Sequence, residues 1–179
     1  DYRGPEALCM LQEEVMNALF TRTSVRAYQN DALKPEEIRR ILQAGFCAPS
    51  ARNARPWYFI VIQEKEKLAQ LSRFSPYASF LKEAAMGILV CGDRSRNPSL
   101  DYCEQDCAAA TQNMMVEAND LGIGSCWLGG YPNEERVLFL KKALQVEEPL
   151  IPLWMIAFGH PKEQPSVKDK WEEDRIRFV

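Results

Sequence analysis

The chain has 179 residues, 46% hydrophobic and 26% charged, enough apolar material for a real core and too much for a disordered or disulfide-stapled peptide. A formal charge of -3 and a pI near 5.4 exclude a general nucleic-acid binder, which needs a basic surface. No apolar run approaches the roughly 20 residues of a membrane helix, and no basic stretch followed by an apolar one opens the chain, so the expectation is a cytoplasmic protein without membrane or nucleic-acid partners.

In chain order, residues 5–20 are predicted as a helix, with Leu8, Leu11, Val15, Ala18 and Leu19 on one stripe. A polar loop over 21–31 carries two arginines. A second helix starts at Pro35, with Glu36 and Glu37 at its positive end, runs through Ile38, Ile41 and Leu42, and stops before Pro49. The aromatic and β-branched run Trp57–Ile62 predicts a buried strand, followed by a short helix around 64–72. Residues 86–91 predict a second central strand, and 103–121 a long helix ending at Gly122. That helix is thin-sided at Ala108, Ala109, Ala110, Thr111 and Ala118, which suits a subunit contact or a tight core.

A strand at 125–128, a helix with Val137, Leu138, Leu140 and Leu144 on one side, and a strand at 153–158 complete the alternation. Strands alternating with helices give an α/β or α+β sheet covered on both faces. Residues 1–160 form one domain, and the charged segment 161–179, with Pro161 and Pro165, is a C-terminal arm too poor in aliphatic residues to fold alone.

The titratable inventory excludes several chemistries. His160 is the single histidine, and no G-x-S-x-G elbow accompanies it, so a Ser-His or Cys-His hydrolase is a poor reading. Cysteines at 9, 47, 91, 103, 107 and 126 contain no C-x-x-C pair, which argues against a zinc or thioredoxin-like site and for buried thiols. Gly122-Ile123-Gly124 fails the dinucleotide pattern, because Trp127 stands where a third glycine belongs; Gly122 is better explained as a helix C-cap.

Three segments remain. Arg22-Thr23-Ser24-Val25-Arg26 packs two guanidiniums and two hydroxyls into five residues, donors suited to a phosphate dianion. Ala48-Pro49-Ser50-Ala51-Arg52-Asn53-Ala54-Arg55-Pro56-Trp57 is a polar loop between a helix end and a strand, a common place for a ligand. Gly129-Gly130 leaves backbone N–H groups open to something flat or close.

With Gly122-Ile123-Gly124-Ser125-Cys126-Trp127-Leu128-Gly129-Gly130 and Ala157-Phe158-Gly159-His160-Pro161, these segments resemble, in order and spacing, the nitroreductase family of FMN-dependent oxidoreductases. The resemblance covers residue 20 to the C-terminus. It implies an α+β fold, a mixed β-sheet flanked by helices on both faces, in an intertwined homodimer with FMN at the subunit interface and the C-terminal arm packed on the dimer.

By the same resemblance, Arg22 and Ser24, with Thr23 between them, grip the FMN phosphate, and Arg26 reaches the flavin pyrimidine edge. Pro49, Ser50, Ala51 and Asn53 form the loop that lies on the flavin from the partner subunit. Leu128, Gly129 and Gly130 supply backbone near flavin N5, and Lys168 and Lys170 stand where the family places basic phosphate ligands. No side chain is assigned as catalytic, because the chemistry belongs to the flavin. NAD(P)H is the implied donor and a small molecule such as a nitroaromatic or quinone the acceptor. Reductive dehalogenation, enone reduction, flavin cleavage or simple flavin storage are the alternatives the same motifs allow. Two departures stand out: Arg55 replaces the usual glutamine before Pro-Trp, adding a cation that favours an anionic substrate or points to solvent, and lysine replaces arginine in the tail.

Overall fold

The computed structural model describes residues 17–179. Of the helix expected over 5–20, only Ala18–Thr21 (α1) is described, so Leu8, Leu11 and Val15, like Cys9, lie outside the described residues. Helix α2 (Pro35–Phe46) begins with Pro35, Glu36 and Glu37 in its first turn, and Glu37 Oε2 accepts the Lys34 backbone N–H at 2.7 Å. It buries Ile41 and Gly45 along the long helix α4 (Leu100–Asp120). A Cβ on Gly45 would stand 2.9 Å from Met114 Cγ, so glycine is what lets the two helices close.

Four strands, β1 (Trp57–Ile62), β2 (Met86–Asp93), β3 (Gly124–Gly129) and β4 (Leu150–Gly159), form one sheet in the order β1-β2-β4-β3. All three pairings are antiparallel. Among the described residues the sheet's parallel component is a single bridge, Ser24 to Ser125, on β3. Alternate residues face opposite sides. Ile88, Val90, Trp154, Ile156 and Phe158 meet Ile41 of α2 and Ala110 and Met114 of α4. Leu89, Cys91, Met155 and Ala157 meet Leu68 and Leu71 of α3 (Lys65–Leu71) and Leu140 of α5 (Glu134–Leu144). The fold is α+β, with helices on both faces as expected.

Several local expectations need correction. β1 is neither central nor fully buried: among the described residues it pairs only with β2, and Tyr58 and Val61 are exposed while Trp57 and Ile62 are covered. A non-alternating run of aromatic and β-branched residues does not distinguish a centre from an edge; β2 and β4 are the central strands. Leu138 leaves the α5 stripe and is exposed, because at 100° per residue it stands a quarter turn from Val137 and farther from Leu140. The small residues of α4 follow one of the two expected readings, the tight core: Ala110, Thr111 and Ala118 are buried, with Thr111 Oγ1 accepting the Trp154 indole N–H at 2.9 Å. Among the described residues four cysteines are buried, but Cys47 at the end of α2 is exposed.

Gly122 does cap α4. It has φ of +74°; its N–H donates to Asn119 O at 3.0 Å and that of Ile123 to Ala118 O at 2.8 Å, a Schellman motif that ends the helix and turns the chain into β3.

Candidate functional site

The arginine-hydroxyl segment is stitched to the edge of the sheet. Val25 N–H donates to Ser125 O at 2.9 Å, and Val25 is buried against Gly124, where a Cβ would come within 2.8 Å of it. Tyr28 anchors the far end, its hydroxyl donating to Val25 O at 2.6 Å and its ring lying on Gly159. Burial holds the Tyr28 hydroxyl protonated far above the usual phenol range.

With Val25 and Tyr28 turned inward, Ser24 and Arg26 are exposed and Arg22 is half-buried. Their side chains gather around Cys126 of β3. Burial pushes the Cys126 thiol up, while the Arg26 charge, a hydrogen bond with the Ser24 hydroxyl and the Arg22 charge pull it back. The Thr23 hydroxyl between them is shut off from solvent without a hydrogen-bond partner among the described residues. Two cations, an exposed serine and an unsatisfied hydroxyl fit a phosphate-bearing cofactor such as FMN.

The second segment is a strained loop. Ser50 precedes a 3₁₀ turn over Ala51–Asn53, and its hydroxyl accepts the Arg55 N–H at 2.9 Å. Arg52, Asn53 and Arg55 adopt φ of 54°, 55° and 48°. Only asparagine among them tolerates the left-handed region readily, and such strain concentrates at binding sites. Arg96 Nη1 donates to the Arg55 carbonyl at 3.0 Å, and the Arg55 side chain is exposed with no ion-pair partner among the described residues.

The third segment leaves β3 through Leu128, which is buried, into Gly129 and Gly130. Nothing lies within 4 Å of a Cβ built on Gly129, whereas one on Gly130 would stand 2.7 Å from Leu153 O. Gly129 therefore offers open backbone on a fixed support. Arg136 Nη1 donates to its carbonyl at 3.0 Å.

The chain does not bring all three segments together. Trp57 and Gly129 lie at the same end of the sheet, by the register Trp57–Gly92, Gly92–Ile151 and Gly129–Trp154. They stand, however, on opposite edge strands. Three strand spacings separate them, about 14 Å. Arg22–Arg26 and Gly129-Gly130 share the β3 edge, and Pro49–Asn53 enters β1 on the other. Lys168 and Lys170 are exposed in the arm and make no ion pair or hydrogen bond to either segment.

Two features escape sequence reading. His160 Nδ1 lies 2.8 Å from an Asp31 carboxylate oxygen, beside the Gln29 N–H that donates to the His160 carbonyl at 2.8 Å and fastens the polar loop to the end of β4. Asp106 of α4 accepts the Ala51 N–H through Oδ1 at 3.0 Å. Neither pairing has a local signal, since the partners are far apart in sequence and meet only in the fold. No helix among the described residues is long and apolar enough to cross a membrane.

Comparison with known proteins bears on this arrangement. The Nitroreductase family profile matches residues 19–78 and 75–160. The chain is 39% identical over 165 residues to a protein of Methanothermobacter thermautotrophicus named "Putative NADH dehydrogenase/NAD(P)H nitroreductase", covering 92% of this chain and 86% of that one. It is 24% identical to the FMN reductase (NADPH) of Bacillus subtilis, covering 90% of this chain and 71% of the relative. Its fold is similar to an FMN-dependent nitroreductase of Clostridium difficile R20291, with a TM-score of 0.85, 26% identity, and 92% and 98% of the two chains covered.

Proposed function

This chain belongs to the nitroreductase family, and on that premise we propose that it is an FMN-dependent oxidoreductase that passes a hydride from NAD(P)H to a small acceptor such as a nitroaromatic or a quinone. The observation that carries the reading is the division of the candidate site between the two edges of one sheet. Arg22–Arg26 with Gly129-Gly130 is one half and Pro49–Asn53 the other, and a second copy of the chain supplies the missing half to each. The working form is thus a homodimer with two sites, each built from both subunits. The arm, with Trp171 and Ile176 exposed, is suited to pack on the partner, bringing Lys168 and Lys170 to a phosphate.

FMN, when bound, supplies the hydride-accepting and hydride-donating centre, so the protein needs no catalytic triad or metal. Arg22, Ser24 and Thr23 would hold the phosphate: the half-buried guanidinium would contribute charge and a fork of donors, and the buried Thr23 hydroxyl would gain the partner it lacks. Arg26, exposed beside Arg22 and Ser24, would offer a positive charge to the flavin's pyrimidine edge and favour its reduced, more negative form. Gly129, with open space where a Cβ would stand, would let the ring approach the backbone, and Gly130, packed against the Leu153 carbonyl, would hold that backbone in place. Pro49, Ser50, Ala51 and Asn53, held in a strained turn, present a rigid polar surface to it.

The test is a visible spectrum of the purified protein after adding FMN and desalting, repeated anaerobically with NADPH and then NADH. Retained flavin that bleaches with either donor is the expected result and names the donor. Retained flavin that stays oxidised shifts the reading to a storage role, and no retained flavin overturns the cofactor assignment.

A further inference from the structure

Asp106 sits on the inner side of α4, 7% exposed. Its Oδ1 accepts the Ala51 N–H at 3.0 Å; its Oδ2 is cut off from solvent and has no partner among the described residues. A buried carboxylate with half its accepting capacity empty destabilises the folded chain. Its helix neighbours do not relieve this, since Cys103 and Cys107 are buried thiols whose ionisation the same carboxylate opposes. The loop that Asp106 holds also carries unfavourable backbone, with Arg52, Asn53 and Arg55 in the left-handed region. One hydrogen bond therefore joins two features that each work against stability, and it joins them in the segment that faces the cofactor in the reading above.

Core packing gives no reason for a carboxylate at this position. An apolar side chain would remove the unsatisfied oxygen and leave α4 in place. We propose that Asp106 is a positioning residue for the flavin. It fixes the Ala51–Asn53 turn in the conformation that receives FMN, and the apo-protein is less stable for it. The proposal rests on the FMN reading and adds a residue that itself touches only the loop.

The experiment compares the full-length wild type, Asp106→Asn and Asp106→Ala in two measurements: FMN titration followed by flavin fluorescence, and thermal melting of the apo-protein. Asp106→Asn keeps an oxygen to accept the Ala51 N–H; Asp106→Ala does not. The expected result is an FMN Kd raised about tenfold or more in Asp106→Ala, the loss of one charge-assisted hydrogen bond, with an apo melting temperature equal to or above wild type. Asp106→Asn restores the Kd to within about threefold of wild type. Unchanged FMN affinity in Asp106→Ala overturns the proposal. So does a fall in the apo melting temperature of Asp106→Ala alongside the loss of affinity, whether or not Asp106→Asn rescues it, which makes the residue a plain structural one. A wild-type chain that takes up no FMN overturns the flavin reading itself, before any variant is made.

Discussion

Ser24 and Ser125 form a parallel bridge that fastens the arginine-hydroxyl segment to the edge of β3, two residues before the strand reaches Trp127 and four before Gly129. Through this bridge, one strand carries both the cationic and the glycine parts of the candidate site. The loop that should complete them is on β1, at the opposite edge.

A site divided in this way can be complemented between subunits. Arg22→Ala and Asn53→Ala are each expected to lose most FMN-dependent activity as homodimers. Co-expressed, they form mixed dimers in which one site carries both changes and the other neither, and activity returns to about a quarter of wild type for random pairing. Sedimentation or light scattering should show a dimer. Absence of recovery from a mixed dimer would place both halves within one chain.

Glycine at 124 is a packing requirement. A Cβ there meets Val25 Cβ and Cγ1 at 2.8 Å, branched atoms close to the backbone that cannot swing aside. Gly124→Ala is therefore expected to push the 22–26 segment off β3, costing about 1–3 kcal/mol of stability and weakening FMN binding. Gly129→Ala meets nothing within 4 Å and should leave the apo melting temperature unchanged. Thermal melts of the two variants check both statements.

Arg26 is exposed beside Ser24 and Arg22, with its charge felt at Cys126. If it faces the reduced flavin, removing it makes reduction harder. Arg26→Ala should shift the midpoint potential of bound FMN by about -30 mV or more, the equivalent of about 1.4 kcal/mol for a two-electron couple. A potentiometric titration giving an unchanged potential would remove this role.

Arg55 carries an exposed guanidinium on a backbone fixed at φ of 48° by Ser50 and Arg96. A cation held there favours an acceptor that bears a carboxylate. Arg55→Gln is expected to lower kcat/KM about threefold to tenfold for 4-nitrobenzoate, in the range of one partly exposed charge pair, and to leave neutral 4-nitrobenzyl alcohol unaffected. Equal losses for both would assign Arg55 to loop structure alone.

Cys91 gives the fold an alkaline limit. Burial pushes its thiol from the ordinary 9.0 up to about 12. Below pH 9 the thiol is protonated in both folded and unfolded chains, and its contribution is fully present. Between pH 9 and 12 the unfolded chain releases the proton that the folded chain keeps, so stability falls by about 1.4 kcal/mol per pH unit from this group. Urea unfolding from pH 8 to 11 should show that decline, and Cys91→Ala should make it shallower. Cys107 and Tyr28, also pushed up by burial, act in the same direction and leave a residual slope.

The alternation of apolar runs, Pro35 with its two glutamates, and Gly122 are local signals, and they sufficed to place α2, β2, α4, β3 and β4 and to end α4 correctly. Candidate binding residues can be proposed from sequence too, because guanidinium, hydroxyl and glycine patterns over a few residues depend on composition alone; their assembly around a cofactor is the proposal made above. The strand order was not legible. Trp57–Ile62 has the apolar run of a central strand but lies at an edge, since pairing partners are chosen by contacts far along the chain. For the same reason the Asp106–Ala51 and His160–Asp31 contacts have no sequence signal. What only the tertiary structure decided is that the motifs fall on two edges of one sheet, about 14 Å apart. Short-range chemistry selects which residues can bind; the long-range pairing of strands determines which of them one chain can bring together.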